Sequence, residues 1–177
     1  EVTILFADIV NFTALSADAD PVVVVSFLND IFSDFDDLAA RHGLEKIKTV
    51  GDAYMVAGGL PVPRADHCEA VVAFGLDMLA AAQRHIAWNG GPVKLRVGVN
   101  TGPVVAGVIG RRKFIYDLWG DAVNTASRME SNGLADCIQV TAAVRDRLAG
   151  KYTFEARPPM PIKGKGEMIT YILRPKA

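Results

Sequence analysis

Apolar residues open the chain almost without interruption over residues 2–7, with β-branched and aromatic types prominent. A run this short and this apolar predicts a central strand covered on both faces, with Asp8 at its end. The period then changes. Val25, Leu28, Phe32, Phe35 and Ala39 recur at helical spacing between Asp20-Pro21 and Gly43. An acidic cap and a proline in the first turn mark the start of that helix, and the glycine marks its end. Residues 46–50 and 54–57 flank Gly51-Asp52 and predict two strands joined by a tight hairpin. Pro61 and Pro63 break the chain. Val71, Phe74, Met78, Ala81 and Ala82 form the stripe of a long helix ending near Asn89-Gly-Gly-Pro92.

Beyond that point residues 93–100 and 104–109 are expected to pair as strands, and residues 111–119 to form a further extended arm. Asp121 is placed as the cap of a helix running through Met129. Strands over 138–140, 152–155 and 168–173, with a helix over 142–148, close the pattern. Strands and helices mix without strict alternation, which predicts an α+β sandwich.

Composition narrows the picture. The chain has 177 residues, of which 50% are apolar and 22% charged, enough for one domain over 1–177 with a sizeable core. A net charge of −1 supplies no field toward nucleic acid, so no nucleic-acid partner is expected. The apolar run over residues 22–25 is far short of the roughly 20 residues a membrane span needs. Cys68 and Cys137 form no disulfide framework, which fits a reducing, cytoplasmic compartment. His42, His67 and His85 share no metal-ligand spacing. The glycines at 102, 107 and 110 are followed by no Gly-Lys-Ser/Thr and form no P-loop.

Four segments carry chemistry. They are Phe6-Ala-Asp8-Ile-Val-Asn-Phe-Thr13, Lys46-Ile-Lys-Thr-Val-Gly-Asp52-Ala-Tyr-Met55, Phe114-Ile-Tyr-Asp-Leu-Trp-Gly-Asp-Ala-Val-Asn-Thr-Ala-Ser-Arg128 and Ile162-Lys163-Gly-Lys-Gly166. In this order, and across nearly the whole chain, they resemble the motifs of class III nucleotide cyclase catalytic domains. The resemblance implies a ferredoxin-like βαββαβ core with additional strands and helices, its antiparallel-rich sheet covered by helices. It also implies conversion of a nucleoside triphosphate to a 3′,5′-cyclic monophosphate and pyrophosphate. With no signal peptide and no initiating Met, the chain is expected to be a catalytic domain from a longer protein. That protein would carry a regulatory or membrane segment.

The resemblance assigns two divalent cations, Mg²⁺ or Mn²⁺, to the Asp8 and Asp52 carboxylates and the Ile9 carbonyl. Hard cations prefer such oxygens, and an acidic end to an apolar strand is costly unless paired or metal-bound. Lys48 and Asp117 occupy the base-selecting positions. Asp117 can accept from the adenine N6 amino group and Lys48 can donate to N1, whereas guanine inverts both groups. The pair therefore points to ATP and an adenylate cyclase, with a guanylate cyclase or an inactive regulatory homologue as alternatives. Asn124 and Arg128, spaced i, i+4 on one helix face, are implied to position the ribose and to stabilise the transition-state phosphate. Lys163 and Arg112 are implied to contact the terminal phosphates.

The family builds its sites across a two-fold interface. Asp8, Asp52 and Arg112 would come from one chain, and Lys48, Asp117, Asn124, Arg128 and Lys163 from the other. Because this chain holds both sets, a homodimer with two equivalent sites is expected.

Overall fold

The computed structural model describes residues 1–175. Its elements run β1 (Val2–Ile9), α1 (Phe12–Ser16), α2 (Pro21–Arg41), β2 (Glu45–Val50), β3 (Ala53–Gly58), α3 (His67–Gln83), β4 (Leu95–Gly102), β5 (Val105–Ile109) and β6 (Ile115–Trp119). They continue with α4 (Asp121–Ser131), β7 (Cys137–Val140), α5 (Ala142–Leu148), β8 (Tyr152–Ala156), β9 (Met160–Ile162), β10 (Gly166–Met168) and β11 (Tyr171–Pro175). The main sheet has the order β2-β3-β1-β4-β7-β11-β8. Its first four strands, with α2 and α3, are the expected ferredoxin-like βαββαβ core. Every ladder in it is antiparallel except β4–β7.

Two-residue alternation divides β1 between two cores. Leu5, Ala7 and Ile9 join the large cluster with Phe35 and Leu38 of α2 and Phe74 and Met78 of α3. Val2 and Ile4 turn the other way, into a smaller cluster with Met55, Leu118, Ala122 and Ala126, so the α4 face of the sheet holds the second core. Helix α2 begins as its sequence indicates: the Val22 amide donates to Asp20 Oδ1 at 2.8 Å and Pro21 stands at the first helical position. Of its predicted stripe, Phe35 and Ala39 are buried, but Val25 is 65% exposed, because the first turns of α2 stand clear of the core. The contacts His42 Nε2–Asp77 Oδ2 (2.7 Å) and His85 Nε2–Asp34 Oδ2 (2.6 Å) tie α2 to α3 and its following turn.

Four expectations need correction. Strands β4 and β5 do not pair. Both edges of β4 are already taken, by β1 and by β7, and Pro103 has no amide to continue a ladder. Strand β5 pairs instead with β6 as a separate ribbon, Val105 opposite Trp119 and Ile109 opposite Ile115. Helix α3 stops at Gln83, well before Asn89, because the amides of Arg84 and His85 tighten its last turn onto Ala81 and Ala82. Asp121 is the first residue of α4 rather than its cap. The cap is Gly120, at φ 139°, a conformation that side chains other than glycine rarely adopt. The expected strand over 168–173 is divided between β10 and β11 at buried Thr170, whose hydroxyl donates to Gln139 Oε1 at 2.9 Å.

Helix α4 lies across β4 with almost no space between the two backbones. A Cβ at Gly98 would stand 2.0 Å from the Glu130 nitrogen and 2.5 Å from the Met129 carbonyl carbon. Two buried amides hold the helix on either side of this crossing: Asn100 Nδ2 donates to the Ala122 carbonyl at 3.0 Å, and Gln139 Nε2 to the Met129 carbonyl at 2.9 Å. Gly98→Ala therefore forces backbone against backbone. Urea unfolding is expected to show a loss of about 2 kcal/mol or more, at the severe end for overpacking; an unchanged midpoint would contradict the crossing.

Candidate active site

Three neighbouring clefts gather most of the chemistry-bearing residues. The first, of about 520 Å³, is lined by Asp8, Ile9, Asp52 and Arg96 and by residues of α1. Asp8 is the last acidic position on β1 and Asp52 sits in the β2–β3 turn; the Ile9 amide donates to Asp52 Oδ2 at 3.0 Å and draws them together. Arg96, directly opposite Asp8 on β4, forks onto it: Nε to Oδ1 at 3.2 Å and Nη2 to Oδ2 at 2.8 Å. Burial pushes the Asp52 carboxyl above its ordinary range, opposed by the Ile9 amide, and the negative charge of Asp8 pushes it further.

Glu130 lies against this group from α4. Burial first, then Asp8, raises its carboxyl to about 8. Its Oε1 is buried with no hydrogen-bond partner, and Arg96 Nη2 stands 3.7 Å away.

The second cleft, of about 340 Å³, holds Lys48, Asp117 and Asn124 against Phe6, Met55 and Leu118. Lys48 Nζ meets Asp117 Oδ2 at 2.7 Å, and the Leu118 amide donates to Asp117 Oδ1 at 2.7 Å, so the carboxylate is held at both oxygens. A bulge aims the lysine. The β2–β3 register shifts between Lys46 and Lys48, leaving Ile47 as the extra residue. Ile47 enters the α4-side cluster and Lys48 meets Asp117 on β6, while Lys46 pairs with Asp36 of α2 at 2.9 Å.

The third cleft, of about 280 Å³, is lined by Asn124, Arg128, Lys163 and Lys165 together with Asp121. Arg128 Nε is buried with no hydrogen-bond partner. Lys163 is exposed in the β9–β10 turn, and Lys165 is engaged by Asp121. Arg112 lines none of these three clefts; it is exposed in the turn between β5 and β6. Asp8 and Asp52 thus share one cleft, Lys48 and Asp117 a second, and Arg128 and Lys163 a third.

Sequence reasoning did not single out Arg96 or Glu130. A signal for Arg96 was present: the lone charge of a largely buried strand needs a carboxylate beside it.

Residues 1–175 match the family described as the adenylate and guanylate cyclase catalytic domain. The chain belongs to that family. An adenylate cyclase of Mycobacterium tuberculosis is 50% identical to this cyclase domain over 173 residues, 98% of this chain and 39% of that protein. The rat guanylate cyclase soluble subunit beta-2 is 44% identical over 97% of this chain and 25% of its own length. The chain therefore spans well under half of these relatives. The crystal structure of the catalytic core of a rhodopsin-guanylyl cyclase with converted specificity, in complex with ATPαS, superposes with a TM-score of 0.93 at 38% identity. It covers 99% of this chain and 95% of that one. No helix among the described residues is long and apolar enough to cross a membrane.

The raised Glu130 carboxyl has a consequence for this cyclase domain. Between the free-Glu value of 4.5 and about 8 the folded chain keeps a proton that the unfolded chain has lost. The resulting stability is full below the lower value and declines as pH rises through the higher one. Glu130→Gln is expected to flatten that decline in the metal-free protein. Urea midpoints taken from about pH 5 to 8 check it; parallel pH profiles would contradict it.

Proposed function

We propose that this domain is an adenylate cyclase. The observation that carries the reading is the Lys48–Asp117 pair, met at 2.7 Å inside a cleft that Asn124 also lines. Side by side, the pair offers a donor and an acceptor in the sense adenine needs, and opposes guanine at both groups. The relatives include both adenylate and guanylate cyclases, so the choice of base rests on these two side chains.

In the reaction the ribose 3′-oxygen loses its proton and attacks the α-phosphorus in line. The bond from that phosphorus to the bridging oxygen of the β-phosphate breaks, and pyrophosphate leaves. Asp8, Asp52 and the Ile9 carbonyl would hold two divalent cations, Mg²⁺ or Mn²⁺. The donor set fits: it is all oxygen, hard and half-buried, and the mutual repulsion of its carboxylates favours a cation. Among the described residues no three His, Cys, Asp or Glu side chains form a closed cage, which suits cations that also take substrate oxygens. Bound there, such cations would make the 3′-hydroxyl more acidic and neutralise the triphosphate. Asn124 orients the ribose. Arg128, with its buried unpaired Nε, receives the negative charge that builds on the α-phosphate, a role worth roughly 3 kcal/mol. Lys163 and the exposed Arg112 neutralise the terminal phosphates.

The cleft of Asp8 and Asp52 and the cleft of Arg128 are separate in one chain. A homodimer that apposes one to the other completes two equivalent sites. The β5–β6 ribbon favours association, since Ile109 and Phe114 are 67% and 69% exposed on it.

Incubation with ATP or GTP, with Mn²⁺ or Mg²⁺, followed by product analysis tests the base choice. Cyclic AMP should dominate and disappear in Asp8→Ala. Lys48→Glu with Asp117→Cys should shift preference toward GTP by roughly 100-fold or more, the scale of mismatched buried polar groups. Cyclic GTP as the main wild-type product would defeat the reading. The shared site has its own test: Asp8→Ala and Asn124→Ala chains, each inactive, should regain about a quarter of wild-type activity when mixed in equal amounts, one site in two in half the dimers. Persistent inactivity of verified mixed dimers would mean that each site lies within one chain.

A further inference from the structure

The hairpin that carries Lys163 is attached to the domain at few points. Its strands β9 and β10 pair only with each other, outside the main sheet. Pro158, Pro159 and Pro161 have no amides to offer a ladder, and between residues 158 and 169 only Ile162 is buried. At the neck of the hairpin the Arg157 amide donates to the Thr170 carbonyl at 2.8 Å. One buried side chain then closes the neck: Gln139 Oε1, on β7, accepts from Thr170 Oγ1 at 2.9 Å and from Arg157 Nη1 at 2.5 Å. The same Arg157 nitrogen donates at 2.6 Å to the carbonyl of Asn132, the C-terminal cap of α4, where the helix end favours a cation. Gln139 Nε2 in turn holds the Met129 carbonyl of α4. The neck of the hairpin and the tail of α4 thus share one clamp.

The far end of the hairpin is held more weakly. Lys165 is engaged by Asp121 at the start of α4, but Asp121 is exposed, and exposed pairs contribute little. The third cleft opens between these two fastenings, with Asn124 and Arg128 of α4 on one side and Lys163 of the hairpin on the other. We infer that Arg157 is a positioning residue for the triphosphate: by clamping the neck of the hairpin to the tail of α4, it sets how Lys163 stands to Arg128. The inference rests on the reading of Lys163 as a contact of the terminal phosphates. Arg157 lines none of the three clefts and acts through Lys163. Without its guanidinium, Gln139 keeps its bonds to Met129 and Thr170, and Asn100 and the Gly98 crossing still hold α4. Arg128 then stays in place while the hairpin swings, so the loss falls on binding of the terminal phosphates.

The test pairs steady-state cyclisation of ATP with limited trypsin digestion of the full domain, thermal unfolding confirming that each variant is folded. Arg157→Met should raise the KM for ATP about 10-fold, inside the roughly 100-fold that a misplacement of one ångström can cost, and leave kcat within about twofold. Added to Lys163→Ala, the same substitution should change KM hardly at all. Without nucleotide, cleavage after Lys163 and Lys165 should become several-fold faster in Arg157→Met, because a loosened segment opens to the protease more often. A merely structural role would lower kcat with the folded fraction, leave KM unchanged and act equally with or without Lys163. Should Arg157→Met fail to fold, Thr170→Val opens the same neck from its other side and should reproduce both effects. Wild-type KM in the folded variant, an undiminished effect beside Lys163→Ala, or unchanged cleavage would overturn the inference. Lys163→Ala alone separates the underlying reading. If it keeps the wild-type KM while Arg157→Met still speeds cleavage, the clamp stands, but the phosphate contact of Lys163 fails and the positioning role fails with it.

Discussion

The crossing of α4 over β4 is the contact on which the rest depends. No side chain intervenes at Gly98, and the helix backbone rests directly on the strand. Side-chain packing tolerates small shifts, but backbone contact does not. Asn100 and Gln139 fasten the helix on either side of the crossing through its own carbonyls. Asn124 and Arg128 are consequently held by three fixed points on the sheet, a rigidity that the transition-state role proposed for them requires.

The two faces of the sheet divide the labour. The face toward α2 and α3 carries most of the apolar core, with Thr3, Thr101 and His67 as a buried polar group at one end. The face toward α4 is mixed: a small apolar cluster is bordered by Asp8, Arg96, Asn100 and Gln139. Polar groups are tolerated there because each finds a partner on α4 or on a neighbouring strand, with Glu130 Oε1 and Arg128 Nε as the exceptions. Both exceptions lie on α4, at the candidate site.

Much of this was legible in the residues alone. The Val2–Ile9 strand, the Asp20-Pro21 start of α2 and the buried stripe of α3 follow from local period and capping, which depend on near neighbours in the chain. Lys48 and Asp117 were recognisable as a pair through their motifs, and they meet. Strand partnership was less accessible. The period of residues 104–109 indicates a strand but not which edge it joins, and only the occupation of both β4 edges sends it to β6. The Ile47 bulge left no composition signal, since Lys46-Ile-Lys-Thr alternates as an unbroken strand would. Glu130 looked like an ordinary helix-surface charge near the end of α4; its burial comes from Gly98, a residue whose importance lies in what it lacks.

On the role proposed for Lys48, the bulge in β2 makes base recognition a matter of counting. Lys46 and Lys48 are chemically identical and two positions apart, a spacing that in a regular strand would send both to one side. The single unpaired residue between them makes one a tie to α2 and the other the partner of Asp117. What separates scaffold from recognition here is phase, not residue type. Under the base-reading role proposed for Lys48, a strand's register, usually regarded as a property of architecture, becomes part of the vocabulary with which a nucleobase is read.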